Sequence, residues 1–201
     1  MKKKQLEMEL QKIPDFDKPK PSLEQYVTPA PIAADIIFKA VQFGDIQNKI
    51  VIDLGCGTGI FAYGAYLCGA EKVMGIDIDK ECINQARNYA YRNKIDINFN
   101  INRIKNVNAV CDTVLMNPPF GAQKGNIRAD RKFLEKAREI SSVTYSLHLT
   151  ETLSFIEKLI ELLDGDITFK KNYDFPIKRS FRFHKKDVSY QDVILIRTSF
   201  K

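Results

Sequence analysis

Ile50-Val51-Ile52-Asp53-Leu54-Gly55-Cys56-Gly57-Thr58-Gly59 is the stretch that decides how this chain folds. Ile50 to Asp53 reads as a buried strand, and the alternate glycines make a tight turn that admits close approach of a ligand. Gly59 to Cys68 then reads as a helix stopped by Gly69. The same alternation extends in both directions. Upstream, Thr28-Pro29 starts a helix whose apolar residues Ile32, Ala33, Ile36, Ile37, Ala40 and Val41 recur at helical spacing. Downstream, Lys72–Asp77 is a strand and Asp79 caps a helix to about Asn93. Ile97–Ile101 and Asp112–Met116 are strands, followed by a helix over Ala129–Ile140 and a strand over Val143–His148. Thr150 is expected to cap a helix running to Leu163. The last third changes character, with strands expected over Asp166–Asp174, Arg179–His184 and Asp187–Phe200. Repeated α/β alternation ending in β-rich sequence predicts an α/β fold: a mostly parallel sheet, helices on both faces, and antiparallel C-terminal strands.

The 201 residues, 44% of them hydrophobic and 28% charged, are enough for one full core and ordinary for a globular chain. The expected organisation is a leader over residues 1–25 and a single domain over 26–201. The leader reads as a short amphipathic helix and a Pro/Lys-rich connector ending at Pro19-Lys20-Pro21. No apolar run approaches the ~20 residues of a membrane span, and the charged N-terminus lacks a signal-peptide core. Cys56, Cys68, Cys82 and Cys111 are scattered without a CxxC pair, so neither a metal site nor a disulfide framework is indicated, and a cytoplasmic setting is expected. The formal charge of +6 is compatible with a polyanionic partner.

Two motifs carry the chemistry. About twenty residues after the glycine turn comes Asp77, ending the next strand, where a carboxylate can accept both hydroxyls of a ribose. A nicotinamide cofactor would fit that pattern, but its fingerprint places the third glycine one position later, where Ile60 stands. An acidic residue followed by GxGxG resembles instead the first motif of class I S-adenosylmethionine-dependent methyltransferases. Asp53 then faces a cationic methionine end, not a pyrophosphate that its charge would repel. The second motif is Asn117-Pro118-Pro119-Phe120, after the apolar run Thr113–Met116. Two prolines stop both strand and helix and leave a rigid shelf with one amide, free carbonyls and one ring. The Asn117 oxygen and the Pro118 carbonyl could take both hydrogens of an exocyclic amine, with Phe120 stacking on its ring, a contact worth ~1–3 kcal/mol. Taken alone, the shelf could also be a strand-ending Pro-Pro turn with an Asx cap.

Read together, Glu24-Gln25-Tyr26-Val27-Thr28-Pro29, the glycine turn, Asn117-Pro118-Pro119-Phe120-Gly121, Tyr145-Ser146-Leu147-His148 and Phe183-His184-Lys185-Lys186 resemble the small ribosomal-RNA adenine-N6 methyltransferases shared by archaea and eukaryotes. The likeness runs from about Glu24 to the C-terminus. It implies a Rossmann-like class I methyltransferase fold with a seven-stranded sheet, S-adenosyl-L-methionine as cofactor, and structured, ribosomal RNA as substrate. It implies that Tyr26 and Thr28 close over the cofactor, that Asp53, Gly55 and Gly57 hold its methionine part, and that Asp77 holds its ribose. Gln25, Gly59, Ile78 and Asn117 complete the expected cofactor set. Asn102 stands near the place where many relatives carry an acidic contact to the cofactor adenine. Asn117, Pro118, Pro119 and Phe120 form the catalytic shelf.

Candidate RNA contacts are Lys124, Arg128 and Arg131 after the shelf, and Arg182, His184, Lys185 and Lys186 near the C-terminus. His148 reads as a satisfied strand-end residue rather than a catalytic one. The family resemblance also implies a small zinc-binding activator subunit in some members, docking by strand pairing; Ile97–Ile101 is the candidate edge, with protection by its Asn side chains as the competing reading. Two other functions stay open. One is methylation of a glutamine N5 in a protein, although such enzymes usually carry a separate N-terminal substrate domain. The other is an RNA-binding module with a vestigial cofactor pocket.

Overall fold

The computed structural model describes residues 1–121, 128–178 and 188–201. Seven strands form one sheet: β1 Ile50–Leu54, β2 Lys72–Asp77, β3 Asn98–Ile101, β4 Cys111–Met116, β5 Ser141–Leu149, β6 Gly165–Lys178 and β7 Val188–Phe200. Their order is β3-β2-β1-β4-β5-β7-β6. The first five strands pair in parallel, and β7 inserts antiparallel between β5 and β6. The sheet expected from the sequence is therefore present, with its antiparallel C-terminal part.

Among the described residues, six α-helices cover the sheet: α1 Lys3–Leu10, α2 Ala30–Gln42, α3 Ile60–Leu67, α4 Lys80–Asn93, α5 Ala129–Ile140 and α6 Leu153–Leu162. Successive side chains of a strand point to opposite faces, so a strand buried on both sides needs unbroken apolar sequence. Val51 and Leu115 enter one core with residues of α1 to α4, while Ile52, Val114 and Met116 enter the other with α5 and α6.

The N-terminal leader does not stand apart from this packing. Leu6 and Leu10 are each 1% exposed and belong to the first core, and Lys3 reaches Asp35 of α2 at 2.8 Å. Leu6 and Leu10 of the leader therefore pack into the same core as residues 26 onward.

Two further boundaries differ from expectation. Strand β6 continues past Asp174 through Phe175-Pro176-Ile177, with Pro176 opposite Tyr190. Proline reads as a breaker, but β6 is an edge strand, where a missing N–H on the outer side costs no ladder bond. The helix expected from Thr150 starts instead at Leu153, after a 3-10 turn over Thr150–Thr152. Thr152 Oγ1 donates to the Leu149 carbonyl at 2.8 Å, and Thr150 caps nothing. By contrast, Asp79 caps α4 as expected, accepting from the Glu81 N–H at 3.0 Å. The strand expected over Arg179–His184 lies outside the described residues.

Candidate active site

Strand register assembles the site. Leu54 pairs with Ile76 and Asp53 with Leu115, so continuing each ladder places Gly55 level with Asp77 and with Asn117. These are the carboxyl ends of β2, β1 and β4. The chain order reverses between β1 and β4, which makes this crevice the topological switch point where open α/β sheets bind ligands. A cavity of about 660 Å³ opens there, within the range of small-molecule sites. Beside it lies a small chamber of about 40 Å³ lined by Asp53 and Asn117 together.

The glycine turn is built for close approach. Gly55 and Gly57 have φ of +75° and +53°, and the Gly55 and Cys56 N–H groups both donate to the Ile76 carbonyl. A Cβ at Gly57 would lie 2.8 Å from the ring of Phe16. Gly59, expected among the cofactor contacts, lines neither space. A Cβ there would meet the buried rings of Phe99 and Tyr63 beneath the start of α3.

The two carboxylates are held by backbone donors. Asp53 is 1% exposed, and its Oδ2 accepts from the Ala62 N–H at 2.9 Å, joining β1 to the first turn of α3. Burial pushes its pKa up to about 7, only partly offset by backbone hydrogen bonds. Asp77 accepts from the Gly57 N–H and the Asp79 N–H, each at 2.8 Å, and burial raises its pKa as well. A carboxylate offers about four acceptor positions, so these donors leave acceptor capacity for a ribose hydroxyl.

Asn117 carries the most telling observation. Its Nδ2 donates to Thr28 Oγ1 at 3.0 Å, which fixes the amide. Its Oδ1 is buried and has no hydrogen-bond partner among the described residues. An orphaned buried carbonyl costs roughly 1–3 kcal/mol, which is recovered when a donor arrives. Phe120 is set edge-on against Phe175, with ring centroids 5.8 Å apart, and it lines the cavity beside Pro118 and Pro119.

Other expected contacts fall into place unevenly. Tyr26, Ile78 and Asn102 line the cavity, and Thr28 lines the chamber. Gln25 lines the cavity too, but its amide is already engaged: Nε2 donates to Asp79 Oδ2 at 2.8 Å and Oε1 accepts from the Lys20 N–H at 2.7 Å. Gln25 thus ties the leader to the N-terminus of α4. Burial would raise the Asp79 pKa, but hydrogen bonds from Lys20 and Gln25 outweigh it and hold it below the ordinary range. Asn102 Oδ1 accepts from the Arg103 N–H at 2.9 Å and keeps one lone pair for an adenine amine.

His148 is fully buried, with Nδ1 on Asp130 Oδ1 at 2.6 Å and Nε2 on Ser146 Oγ at 2.8 Å. It is a satisfied strand-end residue that anchors the start of α5, and it is not available as a base. Tyr145 is also structural, donating to Asp45 at 2.6 Å in a cluster with Arg197. Of the RNA candidates, Arg128 is exposed at the start of α5, and Arg131 pairs with Glu135 at 2.7 Å. Lys124, Arg182, His184, Lys185 and Lys186 lie outside the described residues. Sequence reasoning did not single out Phe16, Leu23, Lys105, Lys132 or Phe133, all of which line the cavity. Ala129, Lys132 and Phe133 stand at i, i+3 and i+4 on α5, a spacing that could have marked one face.

The sheet order, the glycine turn between two backbone-held carboxylates and the Asn-Pro-Pro-Phe shelf define a class I S-adenosylmethionine-dependent methyltransferase. Comparisons with known proteins agree. Residues 6–118 match the family model of ribosomal protein L11 methyltransferase (PrmA), a match that takes in the cofactor half and ends on the shelf. Over nearly its whole length, the chain is 37% identical to rRNA N(6)-adenosine-methyltransferase METTL5 of Danio rerio, covering 92% of this chain and 93% of that protein. It is 41% identical to MJ0284 of Methanocaldococcus jannaschii, covering 98% and 94%. The crystal structure of PH1948 from Pyrococcus horikoshii superimposes with a TM-score of 0.92 at 39% identity, covering 100% of this chain and 98% of that one. The chain belongs to the METTL5-like rRNA N(6)-adenosine-methyltransferase family.

Proposed function

We propose that this protein transfers a methyl group to N6 of an adenine in structured ribosomal RNA. The observation that carries the reading is the buried, unpartnered Asn117 Oδ1, fixed by Thr28 and set on a rigid shelf. The name of the zebrafish relative supports the acceptor, adenosine of rRNA. An adenine amine is a poor nucleophile because its lone pair is delocalised into the ring. Asn117 Oδ1 and the Pro118 carbonyl accept its two hydrogens, which favours a pyramidal nitrogen with its lone pair free. Phe120, braced by Phe175, stacks on the base.

The cofactor supplies the methyl group when bound. The chain supplies alignment: Asp53 toward the amino-acid end, Asp77 toward the ribose, and Asn117 toward the acceptor. No side-chain base is needed, since the amine proton becomes acidic on methylation, and His148 is committed elsewhere. A base that reaches Asn117 has left its stack, so an unpaired or distorted adenine is the expected target.

Charge supports an RNA acceptor. Arg103, Lys105 and Lys132 are exposed cavity-lining cations. The cofactor is itself cationic and carries no phosphate, so these three are left for a polyanion. Incubation with radiolabelled cofactor, total RNA and total protein tests the reading. Label is expected in RNA; label in protein would move the acceptor to a glutamine amide, and label in neither would leave an RNA-binding module.

As for partners, β3 lies at the edge of the sheet, as the strand-pairing idea requires. Arg87 already donates twice to the Phe99 carbonyl, so a docking strand has to work around that cap. Co-elution with a small zinc-binding activator in size-exclusion chromatography is expected, and its absence at micromolar concentrations would remove the partner. The reading places the enzyme in the cytoplasm, which suits its four free cysteines; no helix among the described residues is long and apolar enough to cross a membrane.

A further inference from the structure

Among the described residues, Phe16 and Tyr26 both line three spaces: the 660 Å³ cavity, the small chamber, and a second cavity of about 520 Å³ along the leader. Phe16 belongs to the irregular strap between α1 and the 3-10 turn at Pro21–Leu23, bracketed by Pro14 and Pro19. Two long hydrogen bonds flank it, from the Asp17 N–H to Gln85 Oε1 at 3.5 Å and from Gln85 Nε2 to the Asp15 carbonyl at 3.4 Å. The nearest ring atoms to a Gly57 Cβ are Cζ at 2.8 Å and Cε1 at 3.0 Å. The ring therefore meets the glycine turn at its Cζ end, while it also lines the chamber and both cavities.

The small chamber is the space lined by both Asp53 and Asn117. The methyl group has to pass between the end held near Asp53 and the amine held at Asn117, so the sulfonium belongs in or beside this chamber. Its remaining lining is Phe16, Tyr26 and Phe61 with small, aliphatic or hydroxyl residues. We propose that Phe16, together with Tyr26, forms an aromatic collar that recognises the positive charge on sulfur and so selects S-adenosylmethionine over its neutral product, S-adenosylhomocysteine. An aromatic face attracts a cation through its quadrupole and gains nothing of that kind from a thioether. Asp53 lines the same chamber, so its charge also favours the cation; the collar's share is the part of the preference that removing the Phe16 ring takes away. The collar thereby favours exchange of spent product for fresh cofactor. It concerns the cofactor alone and holds whichever acceptor the enzyme uses.

The test is calorimetric affinity for S-adenosylmethionine and S-adenosylhomocysteine, measured on the full chain as wild type, Phe16→Leu and Phe16→Tyr. Leu keeps an apolar plug and removes the π face, while Tyr keeps both. The preference for the cationic form is expected to fall roughly three- to tenfold in Phe16→Leu and to persist in Phe16→Tyr. Equal weakening of both ligands in Phe16→Leu would make the ring a steric plug and overturn the proposal. Unchanged affinity for both would take Phe16 out of the cofactor site and overturn it as well. Phe16 sits on a surface strap, and equal thermal midpoints of the three proteins confirm that the comparison is of folded chains.

Discussion

At the residue scale, Asp53 gives the most quantitative expectation. Its pKa is pushed up to about 7 by burial, so near neutral pH the carboxyl of the free enzyme is partly protonated. The stability this proton confers is fully present below the ordinary carboxylate range and is lost as pH rises through about 7. A cationic ligand favours the ionised form, so binding releases a proton. Cofactor affinity is therefore expected to rise by up to about tenfold per pH unit as pH approaches 7, and to level off above it. Calorimetry in buffers of different ionisation enthalpy reads the released proton directly. Asp53→Asn should weaken binding and flatten the profile; an unchanged slope in that variant would assign the titration to another group. The positions of Asp53, Asp77 and Asn117 were legible from sequence because apolar runs and turn residues mark the carboxyl ends of β1, β2 and β4, at or next to which they stand. A glycine pattern reports where a Cβ does not fit, and at Gly59 the residues that a Cβ would meet are Phe99 and Tyr63.

At the element scale, the central strands and the Asp79 cap could be read because they are governed by local rules: unbroken apolar runs, turn glycines and one capping side chain. What escaped was set by position in the sheet or by distant packing. Pro176 sits inside β6 because β6 is an edge, which no local pattern reveals. Phe16 stands in a Pro/Lys-rich connector, and no local pattern marks its contact with Gly57. Helix α1 itself holds the leader in place through Leu6 and Leu10. Leu6→Ala and Leu10→Ala are each expected to destabilise the protein by about 2–5 kcal/mol, the usual range for a buried leucine. Urea denaturation measures this, and an unmoved midpoint would mean that the leader is only loosely attached.

At the scale of the whole molecule, a parallel sheet brings three strand ends to one level, and the two halves of the reaction meet at the switch point between β1 and β4. On the proposed reading, one half holds a methyl donor and the other an amine. The leader closes the donor side, and exposed cations around the cavity face the solvent from which a polyanion arrives. The central claim is that the Asn117 shelf presents an RNA adenine to that donor. It is tested most directly by mass spectrometry of ribosomal RNA digests after incubation with cofactor and either wild-type enzyme or Asn117→Ala, alongside calorimetric cofactor binding. The account predicts N6-methyladenosine with the wild type and none above background with Asn117→Ala, while cofactor affinity stays within a few-fold. N6-methyladenosine formed equally well by Asn117→Ala, or none formed by the wild type, would contradict it.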